Sequence, residues 1–390
     1  MKSLLLLFYI STGCFALSFS ADGNEYHPYL WIEQDKMRAG YLYYYDPVSN
    51  IDLVKELGLN TIILKCWKFS TAEERLNTIK SIREWAKAAK ENDLHLFIGL
   101  NWQPYPRTQG VGYELIVYED GAKGVAVDPF DDKFWSAQIN EIFLLIANLS
   151  VQPGIRIDGI FLDMEIYGSE KEPHIKKNYF EKSCGFGDNS FSQYLIYKKY
   201  QPSQFPAIEK KDRKDWLADK NILDDYFIFL RKQVLAKAIT LRESIHKINS
   251  EFLMGIYPHP EKNNWVQYPL AQGFSSEKMP LVVFGTHSYG YFLDKNGDGY
   301  TFVPKDIKNR YAADGINSLY CAGFLFRKYK GETLERNLSK SIENWDGYWL
   351  YSIHQLRKDE NNIVSGEKLI DSSKNLKQAI IKINRNNRNK

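Results

Sequence analysis

Short apolar runs alternate along the chain with longer stretches in which apolar residues recur every three or four positions. Helical periodicity is clearest over 72–92 and 224–248, with shorter helices predicted at 48–57 and 134–147. Eight runs have the length and the aromatic or β-branched content of strands, at 38–45, 60–67, 94–102, 157–166, 252–257, 281–288, 318–326 and 348–353. Strands that alternate with helices are typical of βαβ units and a parallel sheet.

Eight such strands predict an α/β fold that closes into a (β/α)8 barrel, a single domain over 21–372 with a long insertion after the fourth strand. An open, doubly wound sheet is the alternative. It calls for a glycine-rich phosphate-binding turn after the first strand, where the chain instead reads Tyr45-Asp46-Pro47. Residues 103–128 form a predicted excursion from the barrel, with a hairpin turn at 119–121.

The two ends of the chain have their own signatures. Lys2, an apolar run over 4–10 and then small residues predict a signal peptide over 1–20, and hence a secreted or cell-envelope protein. Cys14 weakly resembles a bacterial lipidation site. No later run reaches the roughly 18 apolar residues that a transmembrane helix needs. The basic residues at 373–390 are predicted to be a solvated tail.

Composition narrows the classes of partner. A formal net charge of +3 on 390 residues argues against nucleic acid. Apart from Cys14, the cysteines are Cys66, Cys184 and Cys321, which is neither a disulfide framework nor a metal motif. Aromatic residues make up 15% of the chain, with 26 Tyr. Such rings either fill a core or stack on the apolar faces of sugars.

The fourth predicted strand carries two carboxylates at its end. Side chains alternate along a strand, so Phe161, Asp163 and Glu165 share one face, with the Cα atoms of the two acids roughly 6.5–7 Å apart. Repulsion between adjacent carboxylates favours a protonated form of one of them, and a glycosidic leaving group needs such an acid. The alternative is a pair of carboxylates neutralised by Lys65 or Arg327.

The segment Asp158-Gly159-Ile160-Phe161-Leu162-Asp163-Met164-Glu165 resembles the fourth-strand signature DGxDxDxE of family 18 glycoside hydrolases, which include chitinases and endo-β-N-acetylglucosaminidases. Phe161 replaces the middle aspartate. The resemblance implies Glu165 as general acid/base. It also implies that Asp163 orients the N-acetyl group of the substrate, whose carbonyl serves as the nucleophile.

Other candidates follow from strand ends, because barrel active sites lie at the carboxyl ends of the strands. For each aromatic candidate the alternative role is packing in the barrel, and for the histidine candidate it is a structural role. No carboxylate ends the sixth or seventh strand. The residues predicted to bind substrate are Asp46, Trp67, Trp102, His287, Tyr289 and Trp349.

Asp294, Asn296 and Asp298 match the first half of a calcium-binding loop, with Lys305 where the loop needs glutamate; a solvated turn is the alternative. The predicted chemistry needs no cofactor, so structural Ca²⁺ is the one candidate ion. The sequence therefore predicts a secreted hydrolase of N-acetylhexosamine-containing glycans, free or on glycoproteins. The alternatives are a barrel glycosidase of another specificity, in which the roles of Asp163, Glu165 and Asp46 are reassigned, and a barrel that binds glycans without cleaving them.

Overall fold

A computed structural model describes residues 27–69, 71–102, 112–165, 180–201, 207–291, 293–297, 304–357 and 369–388. The predicted signal peptide, Cys14 and Asp298 lie outside the described residues. None of the described helices is both long and apolar enough to cross a membrane.

Eight strands form a closed, wholly parallel barrel, which confirms the predicted (β/α)8 architecture. Two further strands make the predicted antiparallel hairpin within the excursion that follows the third strand. The described strands are β1 (Met37–Tyr43), β2 (Thr61–Cys66), β3 (His95–Asn101), β4 (Leu115–Val117), β5 (Lys123–Val127), β6 (Gly159–Asp163), β7 (Leu253–Tyr257), β8 (Leu281–Gly285), β9 (Ser318–Leu325) and β10 (Gly347–Tyr351). Around the barrel their order is β1-β10-β9-β8-β7-β6-β3-β2, and β4 pairs with β5 in the hairpin.

Helices connect the strands and cover the outside of the barrel. One of them, Asp132–Phe134, continues through a π-helical segment, Trp135–Asn140, into the helix Glu141–Ser150. The described helices are α1 (Leu30–Asp35), α2 (Ile51–Glu56), α3 (Ala72–Glu91), α4 (Asp132–Phe134), α5 (Glu141–Ser150), α6 (Asp188–Tyr197), α7 (Arg213–Asp219), α8 (Leu223–Ile248), α9 (Gln267–Phe274), α10 (Pro304–Ala313), α11 (Gly331–Asn344) and α12 (Ser373–Arg388).

Alternation along each strand separates two hydrophobic cores. On β6, Ile160 and Leu162 pack outward against the helices, while Phe161 packs inside the barrel with Trp349. The Phe161 ring lies directly over Gly99 of β3, where an added Cβ would come within 2.4 Å of it. Glycine on β3 therefore makes room for the large side chain that lies two residues before Asp163 on the same face of β6.

The C-terminal segment corrects a prediction. Residues 373–388 are not a solvated tail but the helix α12, which packs against α11 and buries Leu376 and Ile380. Its Asn384 accepts a hydrogen bond from the hydroxyl of Tyr348 at 2.6 Å and donates one to the carbonyl of Leu57 at 2.7 Å. Apolar residues spaced three and four apart within the basic run are the signal for this helix.

Candidate active site

The two predicted catalytic carboxylates lie at the carboxyl end of β6, where barrel active sites are built. Asp163 is only 7% exposed and faces the barrel interior, as the alternation of the strand predicts. Its Oδ1 atom accepts a hydrogen bond of 2.8 Å from the backbone N–H of Glu165. The turn that follows β6 thus fixes the two acids relative to each other.

Asp163 has a cationic partner. Its Oδ2 atom forms an ion pair with the ammonium of Lys65, which points inward from β2 and is 3% exposed. Burial lowers the pKa of Lys65, and the charges of Asp163 and Glu165 oppose that shift. The sequence leaves open whether Lys65 or Arg327 neutralises the carboxylates, and in the structure Lys65 pairs with Asp163. Arg327 instead lies over the ring of Tyr351, 6.0 Å from its centroid.

Glu165 is bound by a chain of tyrosine hydroxyls. The hydroxyl of Tyr257, the last residue of β7, donates to Oε2 of Glu165 at 2.8 Å. Tyr289, which follows β8, donates its own hydroxyl to that of Tyr257 at 2.7 Å. The sequence predicted Tyr289 as a site residue and missed Tyr257. The signal for Tyr257 was its position at a strand end beside the strand that carries the acids.

Three further tyrosines converge on the same end of the barrel. The hydroxyls of Tyr43 and Tyr351 lie 2.6 Å apart, and Tyr41 packs against both rings. Burial raises the pKa of Tyr41 well above its usual value, and the charge of Asp163 adds to the shift. Burial raises the pKa of Tyr351 as well, with Glu165 contributing. These hydroxyls therefore stay protonated and can donate to a polar ligand.

Asp46, a predicted substrate ligand, has a structural partner. Its Oδ2 atom accepts the backbone N–H of Tyr43 at 2.8 Å and lies 3.6 Å from Nδ1 of His354. These contacts fix the turn after β1. That turn presents Tyr45, whose side chain is 59% exposed and stacks on Tyr43 with ring centroids 5.2 Å apart.

Trp67, Trp102 and Trp349 have three different environments. Trp67 is half-buried at the rim, edge-on to Tyr45 at 5.5 Å. Trp349 is 2% exposed and forms the floor, where its ring is edge-on to Tyr257. Trp102 is fully buried beneath the hairpin and donates its indole N–H to the carbonyl of Val127 at 3.1 Å. The prediction of Trp102 as a sugar-binding platform is therefore corrected to a core residue.

His287 lies toward the outer layer of the barrel rather than over the carboxylates. Its Nδ1 atom is 2.8 Å from the hydroxyl of Tyr320, whose side chain belongs to the outer core. Its ring stacks on His259 with centroids 3.5 Å apart. Burial, with the charge of His259 adding, lowers the pKa of His287 to about 3.

The calcium candidate is only partly described. The side chain of Asp294 stabilises a local turn, because its Oδ1 atom accepts a hydrogen bond of 2.8 Å from the backbone N–H of Asn296. Asp298 lies outside the described residues. A structural Ca²⁺ at this loop stays a prediction.

The fold and the site together define a (β/α)8-barrel protein with a carboxylate- and tyrosine-lined end. Two solved barrels are similar to it: a β-galactosidase from the psychrophilic Marinomonas ef1 (8% identity, TM-score 0.56, 90% of this chain covered) and an exo-β-agarase (12% identity, TM-score 0.50, 87% covered). This chain spans 59% and 46% of their respective lengths. At these identities the likeness is one of fold. No protein-family model matches the chain, and no curated protein matches it.

Proposed function

We propose that the protein is a glycoside hydrolase whose general acid/base is Glu165. The observation that carries the proposal is the placement of the Glu165 carboxylate. It lies at the functional end of the barrel, bound at 2.8 Å by the hydroxyl of Tyr257 and next to the buried Asp163. The two similar barrels are named for glycan-cleaving enzymes, which agrees with this proposal as a fold-level analogy.

The proposed chemistry begins with proton transfer. Tyr257 donates to Oε2 of Glu165, so the proton for the glycosidic oxygen is carried on the other carboxyl oxygen. After the bond breaks, the Glu165 carboxylate takes a proton from the attacking water, as a glycosidase acid/base does in its second step. The Tyr289–Tyr257 hydroxyl pair keeps the carboxyl group oriented through both steps.

We further propose that the cleaved unit is an N-acetylhexosamine. In the described chain, β8 is followed by Thr286 and β9 by Phe326–Lys328, so neither strand end supplies a second carboxylate opposite Glu165. In this proposal the carbonyl of a substrate N-acetyl group acts as the nucleophile. A carboxylate offers about four lone-pair positions, so Asp163 can accept the substrate amide N–H in addition to its two present donors.

Tyr45 and Trp67 form the proposed entrance for the glycan. The exposed face of Tyr45 and the edge-on Trp67 provide a rim of apolar surface beside the hydroxyls of Tyr43 and Tyr351. Sugar rings combine apolar faces with hydroxyl groups, and such a surface suits both. The proposed place of action is outside the cytoplasm, on the basis of the signal peptide expected at 1–20.

One observation favours a second candidate, a barrel that binds glycans without turnover. The Lys65–Asp163 ion pair neutralises one member of the carboxylate pair. In a protein that only binds glycans, the tyrosine hydroxyls and the aromatic rim would recognise the glycan, and Glu165 would act as one more hydrogen-bonding group.

A panel of oligosaccharides, matched in length and differing in whether they carry N-acetylhexosamine, tests the proposal through release of reducing ends. We expect turnover of one or more members and a preference for those with the N-acetyl group. If only the members without N-acetylhexosamine are cleaved, the result would support a glycoside hydrolase but contradict the proposed N-acetylhexosamine substrate. Binding of a member without turnover of any would contradict the hydrolase and favour the second candidate.

A further inference from the structure

Outside the carboxylate site, two histidines and a glutamate converge on the loops that follow β7 and β8. One potential ligand atom from each of His259, Glu261 and His287 lies within 4.8 Å of the other two. Nε2 of His259 and Oε1 of Glu261 are already 3.1 Å apart. All three side chains are partly buried.

The other ring nitrogen of each histidine has a hydroxyl partner. Nδ1 of His259 lies 3.1 Å from Oγ1 of Thr286, and Nδ1 of His287 lies 2.8 Å from the hydroxyl of Tyr320. Histidines that bind metals almost always use one nitrogen for the metal and the other for such a partner, which sets the ring orientation. The arrangement leaves the Nε2 atom of each ring as the ligating atom.

The two carboxylate oxygens of Glu261 likewise have different partners. Its Oε1 atom faces His259, while Oε2 lies 3.4 Å from the guanidinium of Arg310 on α10. A ligating carboxylate is commonly held by a second hydrogen bond of this kind. Arg310 therefore anchors the oxygen that the metal would not use.

We propose that His259, Glu261 and His287 bind one Zn²⁺ ion. Two imidazoles and a carboxylate are a donor set that zinc uses, with water as the fourth ligand. Zinc–ligand bonds of about 2.0–2.1 Å place tetrahedral ligand atoms about 3.4 Å apart. The His259–Glu261 pair, at 3.1 Å, is close to that spacing, and all three ligand atoms lie within 4.8 Å of one another.

The proposed site lies on the same two loops as the neighbouring hydrogen-bond chain. His259 is two residues beyond Tyr257, and His287 is two residues before Tyr289. A metal that joins the two loops fixes the backbone on which the Tyr289–Tyr257–Glu165 chain depends. Because zinc binding is measured without substrate, its outcome is independent of the proposed glycosidase activity.

The test is a zinc titration of the full, untagged protein after removal of metal with EDTA and dialysis. Calorimetry gives affinity and stoichiometry, and a thermal melt with and without Zn²⁺ gives the change in Tm. Two variants remove a ligand: His287→Phe keeps a ring stacked on His259, and Glu261→Gln keeps an acceptor for Arg310. His27→Gln, outside the cluster, is the control.

We expect the wild type and His27→Gln to bind one equivalent of Zn²⁺ and to melt at a higher temperature with it. Each ligand variant should lose affinity by roughly 100-fold or more, since loss of a group that only supports a ligand already costs 10–100-fold. Where His287→Phe fails to fold, Glu261→Gln decides. Absence of zinc binding by the wild type, or wild-type affinity in the folded ligand variants, overturns the proposal.

Discussion

The ammonium of Lys65 and the carboxylate of Asp163 form a buried ion pair inside the barrel, from strands β2 and β6 that β3 separates. Removal of one partner leaves the other charge buried and uncompensated. We therefore expect Lys65→Met to lower the free energy of unfolding by about 3–5 kcal/mol, measured by urea denaturation.

The matched control for this change is Lys87→Met. Lys87 pairs with Glu91 on the surface of α3, with side chains 70% and 60% exposed, and exposed pairs of this kind contribute about 0.3–0.5 kcal/mol. Similar small losses in both variants would mean that the Lys65–Asp163 pair is solvated rather than buried.

Hydrogen bonding from Tyr257 to Glu165 predicts a graded effect of removing hydroxyls. Tyr257→Phe deletes a bond to a carboxyl group, so kcat/KM should fall roughly tenfold to a hundredfold. Tyr289→Phe deletes the bond to the Tyr257 hydroxyl and leaves the Tyr257–Glu165 bond in place, so it should cost less. Steady-state kinetics on a cleaved oligosaccharide checks the order, and a larger effect from Tyr289→Phe would contradict the chain as described.

The aromatic residues divide into those that bind glycan and those that support the fold. Tyr45→Ala, at a 59% exposed side chain, should raise KM while leaving the urea midpoint within error of the wild type. Trp102→Phe, at a fully buried side chain whose N–H bonds Val127, should lower the urea midpoint and leave KM unchanged. The opposite pattern would exchange the two assignments.

The strands and the position of the acids could be predicted because both depend on local alternation. Asp163 faces inward for the same reason that Ile160 and Leu162 face outward, and the pattern is legible within eight residues. The choice between a free and a paired Asp163 could not be made from the sequence, because Lys65 is 98 residues away and only barrel closure brings it near.

Two other features of the structure could not be predicted from the sequence for the same reason, because they depend on contacts between residues far apart in the chain. Trp102 directly follows β3, where a site residue would stand, but the hairpin inserted after β3 covers it. The sequence pattern does not tell how an insertion packs. His259 and His287 lie on different loops and meet only because β7 and β8 are neighbours. Contacts that depend on loop paths were therefore the part that sequence reasoning missed.

Asp128 predicts a specific dependence of stability on pH. This residue is fully buried after β5, and burial raises the pKa of its carboxyl from 3.8 to about 7, with Glu114 and Asp131 adding and the N–H of Phe130 opposing. Between these two values the unfolded chain loses a proton that the folded protein keeps. Stability should therefore fall as pH rises from about 4 to about 7.

The measurement is urea denaturation of the wild type and Asp128→Asn across that range. Relative to its own value at pH 4, the variant should retain more stability at pH 8, by on the order of 4 kcal/mol, since each pKa unit corresponds to about 1.4 kcal/mol. Parallel curves for the two proteins would mean that Asp128 is ionised in the folded state.

Release of reducing ends by the wild type and by Glu165→Gln, on the same oligosaccharide and at equal glycan occupancy, tests the central claim most directly. Glutamine keeps an acceptor for the hydroxyl of Tyr257 but cannot transfer the proton. We expect the variant to bind glycan with near wild-type affinity and to lose roughly 10²–10⁴-fold in kcat. Cleavage at the wild-type rate by Glu165→Gln would contradict the assignment of Glu165 as the general acid/base.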